Sequence, residues 1–173
     1  MPTSASLVGP LLAAGAILVS ATIAACMARS AIQTQRDIAR KRATLDVIQA
    51  TEEQTYYRTA RETFTRIRKS EPGLLECKSP NTSLRVEDIA GVQDYLNHYE
   101  LICIAIDAGI LDEIFYKNWM RTQLLTDWDA AKELIKSIQK DSPRMYLAFE
   151  KYARRSDRPS LSAFRRCFST ASW

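Results

Sequence analysis

Between Leu7 and Ala28 the chain carries no charged side chain, and nothing in those 22 residues is more polar than Ser20, Thr22 and Cys26. A helix rises about 1.5 Å per residue, so a run of this length covers the roughly 30 Å hydrocarbon core of a bilayer. The segment therefore predicts a transmembrane helix, a membrane span from Leu7 to Ala28. Gly9 and Pro10 fall in its first turns, where proline costs least because amides there lack a helical partner. Arg29, Arg36, Arg40, Lys41 and Arg42 follow as a basic juxtamembrane stretch, whereas residues 1–6 hold no Lys or Arg. Under the positive-inside rule this asymmetry predicts a single-pass protein with its N-terminus outside and its body in the cytoplasm.

The span has two rival readings. A cleaved secretory signal needs a basic n-region and a shorter apolar run, and Met1 to Ser6 offers no basic residue. The sharper rival is a lipoprotein lipidated at Cys26, since Ile23-Ala24-Ala25-Cys26 resembles the box that precedes such a cysteine. The missing basic residues count against that too, and it would leave Cys77, Cys103 and Cys167 as an odd set in an oxidising compartment. Within the span Ser20, Ala24 and Ala28 recur every four residues, a spacing that permits close helix approach and self-association. An alanine-rich anchor explains the same stripe more simply.

Beyond the span, charge separates the chain into unlike parts. The formal net charge of +4 combines residues 29–42 (five basic, one acidic), 43–153 (14 basic, 18 acidic) and 154–173 (five basic, one acidic). The expected organisation is an anchor at 1–28, a basic juxtamembrane helix at 29–55, a helical domain at 56–155 and a basic, disordered tail at 156–173. In the tail Phe164, Phe168 and Trp173 interleave with Arg158, Arg165 and Arg166, which also suits weak contact with an anionic leaflet. Nucleic-acid binding finds little support, because the body is acidic and the basic residues flank it.

The body reads as all-α, a bundle of four to six helices. From Ser30 to Ser70 there is no Gly or Pro, and Ile38, Leu45, Ile48, Tyr56, Ala60, Phe64 and Ile67 recur at mostly helical intervals. The spacing falters near Glu52 and Glu53, predicting two helices or one bent one. Glu71-Pro72-Gly73 is a stop, and 71–83 reads as a loop. Ile89, Val92, Leu96, Tyr99, Cys103 and Ile106 then form one apolar stripe, with Thr82 or Ser83 as its cap and Gly109 as its terminator. Asp112 opens a helix expected to turn Ile114, Phe115, Trp119 and Leu124 inward. Thr126 or Asp127 is expected to start another, holding Trp128, Ala131, Leu134, Ile135 and Ile138. Ser142-Pro143 predicts a last helix through Met145, Leu147, Phe149 and Tyr152. No alternating stretch bounded by hairpin turns predicts a strand.

Thr44-Leu45-Asp46, the run from Asp94 to Ile102 (Asp-Tyr-Leu-Asn-His-Tyr-Glu-Leu-Ile), Ala108-Gly109-Ile110-Leu111-Asp112-Glu113 and Tyr116-Lys117-Asn118-Trp119 together resemble the bacterial family called domain of unknown function 4760. The resemblance covers roughly residues 29–153 and rests on order and spacing as well as on single residues. It implies a small, mostly helical, membrane-anchored protein and carries no assigned activity, cofactor or catalytic residue.

The candidate polar cluster is Asp94, Asn97, His98 and Glu100. Asp94 and the sole histidine lie one helical turn apart, a spacing that permits a carboxylate–imidazole pair. One histidine among scattered carboxylates is a poor metal signal, and a hydrogen-bonded histidine explains it as well. Lys117 and Arg121 lie one turn apart on the next helix, and either is in a position to pair with Glu100 and so fix how the two helices pack. The cysteines are 51, 26 and 64 residues apart, without ligand-type or Cys-x-x-Cys spacing. Neither a phosphate-cradling loop nor a nucleophile elbow occurs. The expectation is thus a non-enzymatic module without metal or cofactor, with the lipid bilayer and a protein partner, or a second copy, as its contacts and no nucleic acid. A pocket built from Asp94, His98 and Glu100 is the enzyme or small-ligand receptor alternative. A regulator that senses the membrane surface through the basic flanks is a third.

Overall fold

A computed structural model describes residues 8–157. The described residues form five α-helices and one short 3-10 helix, without strands: α1 (Val8–Glu53), α2 (Thr55–Arg68), the 3-10 turn (Gly73–Lys78), α3 (Val86–Asp107), α4 (Glu113–Gln139) and α5 (Leu147–Asp157). The fold class is all-α, one long apolar N-terminal helix followed by a helical body. Two compact units divide at Arg40 and Lys41. The expected tail falls outside the described residues from Arg158 onward, as does Leu7 at the start of the span.

The first unit is the apolar helix. Its best stretch has a mean hydropathy of 2.2 and no buried residue, long and apolar enough to cross a membrane. The Ser20 and Thr22 hydroxyls donate to the carbonyls of Ala16 and Leu18 at 2.9 and 2.8 Å, so neither needs water.

The second unit takes in the last turns of α1, where Thr44 and Thr51 are buried and Ala43, Val47 and Ile48 pack on the core. Helical order breaks at Gln54, which is extended at ψ 117°, one residue beyond the faltering Glu52-Glu53. In α2, Tyr57, Ala60, Phe64 and Ile67 face inward at steps of three and four, while Tyr56 is exposed, as are Ile38 and Leu45 of α1. The 71–83 segment is not wholly loop: Gly73, at φ 82°, opens a 3-10 helix that buries Leu74. Glu76 of that turn accepts from the Ser83 amide and hydroxyl, so Ser83 does not cap α3. Thr82 accepts from the Leu84 amide instead. The residue at the cap position is Arg85, which offers no side-chain cap.

In α3, Val92, Leu96, Tyr99, Cys103 and Ile106 are buried along the expected stripe, joined by Tyr95 and Ile102. Ile89 is half-buried. At its end Gly109 adopts φ 70°, its amide reaches the Ile106 carbonyl, and the Ile110 amide reaches that of Ala105 at 2.9 Å. This paired arrangement needs a left-handed residue, which glycine adopts without a Cβ clash.

The largest departure from expectation is α4. Helical order runs straight through Thr126 and Asp127, where a new helix was expected. Thr126 bonds back to the Thr122 carbonyl and starts nothing. Leu124 is buried as expected, but Ile114, Phe115 and Trp119 are exposed and Tyr116 points inward in their place. The reason is angular: Tyr116, Leu124, Asp127, Ala131, Leu134 and Ile135 share the buried stripe, and Ile114, Phe115 and Trp119 lie off it. Asp112 caps α4 as expected, accepting from the Phe115 amide at 2.8 Å. Ser142-Pro143 does not open α5, which starts at Leu147 after turns and a left-handed Tyr146 at φ 59°. Phe149 stacks on Tyr99 at 4.8 Å and meets Trp128 edge-on at 5.3 Å, closing the core.

Candidate functional site

Four polar positions organise the interior of the body. Asp127, 1% exposed at the middle of α4, receives the Arg68 guanidinium on one carboxylate oxygen at 2.8 Å. Its other oxygen accepts from the Tyr95 hydroxyl at 2.7 Å, the Tyr99 hydroxyl at 2.9 Å and the Gln123 amide at 2.8 Å. A carboxylate removed from water is tolerable only when paired and hydrogen-bonded, and this one is both. Burial, together with the Asp127 charge, pushes both tyrosine hydroxyls well above their ordinary range, so they stay protonated donors. Helices α2, α3 and α4 are thereby tied at one point.

Glu100 projects from α3 to the start of α5. Its two oxygens accept from the Ala148 amide at 3.2 Å and the Phe149 amide at 2.8 Å. The first amides of a helix have no internal partner and carry its positive dipole end, so the carboxylate caps α5 from another helix. Glu100 therefore does not take up the pairing that Lys117 or Arg121 offered. Arg121 instead donates to the Ser156 carbonyl at 3.0 Å, bracing the other end of α5.

His98 lies against the last turns of α1. Its Nε2 is 3.5 Å from the Thr51 hydroxyl, and its ring centroid is 4.5 Å from that of Tyr57. Burial lowers its pKa to about 4, so it is neutral at physiological pH. Beside it is a recess lined by Val47, Ile48, Thr51, Glu52, Tyr116, Trp119 and Met120, with a free volume of about 10 Å³. That is room for about one water molecule, far below the several hundred Å³ of a small-molecule pocket. Asp94 lies half-buried one turn before His98 and holds the neighbouring Tyr56 hydroxyl above its usual pKa through a hydrogen bond. Asn97 is exposed. The structure thus keeps Asp94 and His98 on one helix but directs Glu100 elsewhere, and the four residues do not converge on one cavity. Among the described residues no group of three His, Cys, Asp or Glu is placed to hold a metal ion.

The fourth position is Thr44, whose hydroxyl accepts from the Asp112 amide at 2.8 Å and fixes α1 to the turn before α4. Sequence reasoning missed Thr44, Thr51, Arg68 and Asp127 as organising residues. The signal for Asp127 was present: from Glu113 to Gln139 neither Gly nor Pro interrupts the helical stripe.

These contacts account for the stretches that carry the family resemblance. Thr44 and Asp112 meet across two of them, Tyr95, Tyr99 and Glu100 supply a third, and buried Tyr116 anchors the fourth. The match to domain of unknown function 4760 extends over residues 12–156, and the chain belongs to that family. Neither a curated protein nor a solved structure matches the chain.

Proposed function

We propose that this member of the family is a single-pass protein of the bacterial inner membrane whose helical body works at the cytoplasmic face as a non-enzymatic protein-interaction or scaffolding module. The observation that carries the anchor is the uninterrupted exposure of the apolar, uncharged stretch of α1 from Leu11 to Ala28, in which the Ser20 and Thr22 hydroxyls are satisfied within the helix. Such a surface suits lipid and no aqueous solvent. Arg29, Arg36, Arg40, Lys41 and Arg42 on its C-terminal side support a cytoplasmic body.

For the body, an interaction role is supported by Trp119, 62% exposed on α4 beside Ile48 and Glu52. An exposed tryptophan at the rim of a filled recess matches the residue type and setting that dominate binding energy at interfaces. The partner is a separate protein or a second copy. Photocrosslinking from a photoreactive residue placed at position 119 in native membranes tests this. A discrete adduct at position 119 that is absent from position 75, on the exposed Leu75 of the 3-10 turn, supports the reading, and identical patterns at both overturn it. Reporter fusions before residue 7 and after residue 157 test the orientation, and an intact mass showing Cys26 unmodified separates an anchor from a lipoprotein. Loss of biological activity in His98→Gln at unchanged thermal stability would favour an enzyme or receptor instead.

A further inference from the structure

Within the acidic body, α2 stands apart by charge. Residues 54–70 carry five basic side chains and one acidic, whereas the rest of 43–153 carries nine and 17. Two of the five have structural work, Arg68 with Asp127 and Arg66 with Asp88. Among the described residues, Arg58, Arg61 and Lys69 make no ion pair and no side-chain hydrogen bond. These three border one open groove of about 790 Å³, with Thr65, Arg66 and, on the acidic side, Glu52 and Glu62. Positions 58, 61, 65 and 69 advance by three, four and four, so they share one helix face over roughly 16 Å. Glu52 also borders the recess beside Trp119, so the groove and the exposed indole adjoin.

We propose that this groove receives an acidic segment of a separate partner protein, its carboxylates meeting Arg58, Arg61 and Lys69 and an apolar side chain beside them covering Trp119. The inference rests on the interaction reading of Trp119 above and supplies the chemistry of the partner. Arginine forks pair bidentately with carboxylates, so two arginines and a lysine in one row match an acidic strip in register. Glu52 and Glu62 repel a continuous run of carboxylates and favour spaced ones. Other occupants fit less well. A small-molecule site is enclosed and largely apolar, whereas this groove is open and its lining wholly polar. A nucleic acid would run on past the groove to a body whose remaining charge is acidic. A bilayer surface takes up apolar side chains beside the charges, and the groove lining has none. A second copy has few free carboxylates to offer, because Asp107 and Glu113 are held by Arg155, Asp129 by Lys132, Glu133 by Lys136, Asp141 by Lys78 and Glu150 by Arg154.

The test uses the full chain in phosphatidylcholine nanodiscs and a labelled helical peptide of about 12 residues, long enough for the roughly 16 Å from Arg58 to Lys69. One version carries Glu at every third or fourth position and a Leu at one end, and the other has Gln for each Glu. Three exposed ion pairs amount to about tenfold in affinity, so the Glu peptide should bind about tenfold tighter than the Gln peptide and lose that margin in rising salt. Arg58→Gln, Arg61→Gln and Lys69→Gln together should remove the margin. Lys117→Gln, Lys140→Gln and Arg144→Gln take the same charge from cations that are likewise without ion pairs among the described residues, and should keep it. The Gln peptide and the salt series are read on the parent chain, so they decide whatever the variants' stability. Equal binding of the two peptides, equal loss in both variants, or tighter binding of an equally long oligothymidylate or of short-chain phosphatidylglycerol overturns the proposal, as does a self-associated chain that the α2 variant returns to monomer. A protein adduct specific to position 119 in native membranes alongside any of these results sinks this inference alone, whereas like adducts at 119 and 75 sink the interaction reading and this inference together.

Discussion

The two parts of α1 spend the same residue types in opposite ways. Up to Ala39 its hydroxyls turn back on the helix, Ser20 to Ala16 and Thr22 to Leu18, and its aliphatic side chains stay exposed. From Lys41 onward Thr44 reaches out to the Asp112 amide, Thr51 adjoins His98, and Val47 and Ile48 pack on the core. The helix backbone is continuous through both. What changes is the medium each part is matched to, one needing every polar atom satisfied internally and the other using polar atoms to choose its neighbours.

The contrast can be broken most severely at Asp127. Asp127→Ala leaves Arg68, Tyr95, Tyr99 and Gln123 without their shared acceptor and should cost about 3–5 kcal/mol, read by chemical denaturation of the detergent-solubilised chain. A loss under about 1 kcal/mol would mean that polar contacts do not organise the body. Next in size is acid sensitivity. His98 has a folded pKa of about 4 against 6.5 for the free side chain, so below pH 6.5 the unfolded chain takes up a proton that the folded one refuses. The contribution is complete above pH 6.5 and is lost as pH falls through 4, amounting to about 3 kcal/mol. In His98→Gln this slope should flatten, and an unchanged slope would assign acid sensitivity elsewhere.

A sharper comparison pairs two threonines. Thr44→Val strands the Asp112 amide and should cost about 1–2 kcal/mol, whereas Thr22→Val should fall within about 0.5 kcal/mol of the parent. Equal effects would erase the distinction between the parts. Among the changes expected to destabilise, the mildest is Glu100→Gln, which keeps an acceptor for the α5 amides but removes the charge, at about 1 kcal/mol. Its far-ultraviolet spectrum should show loss confined to one short helix.

How much of this was legible in the sequence depended on range. The apolar span, the α3 stripe and the Gly109 stop follow from local rules of length, period and backbone freedom, and they stand in the structure. The α4 errors came from weighting side-chain size over angle: Trp119 is the more apolar residue, yet Tyr116 occupies the inward register with Leu124 and Ala131. Asp127 looked like a cap because an aspartate rarely sits inside a core, and only its partners on α2 and α3 make the position tenable. The same holds for Glu100, whose acceptors serve amides 48 and 49 residues away, a distance over which no local pattern speaks.

That reach has a consequence for how the protein is made. Synthesis delivers α3 long before Leu147, so until the last turns emerge Glu100 waits without its amides and Tyr99 and Trp128 without the Phe149 ring between them. A product stopped short of α5 would therefore display an unmatched carboxylate beside an open aromatic slot. A chain truncated before Leu147 should accordingly be cut by a general protease faster than the full one, and equal rates would mean that the rest of the body closes over the gap without α5.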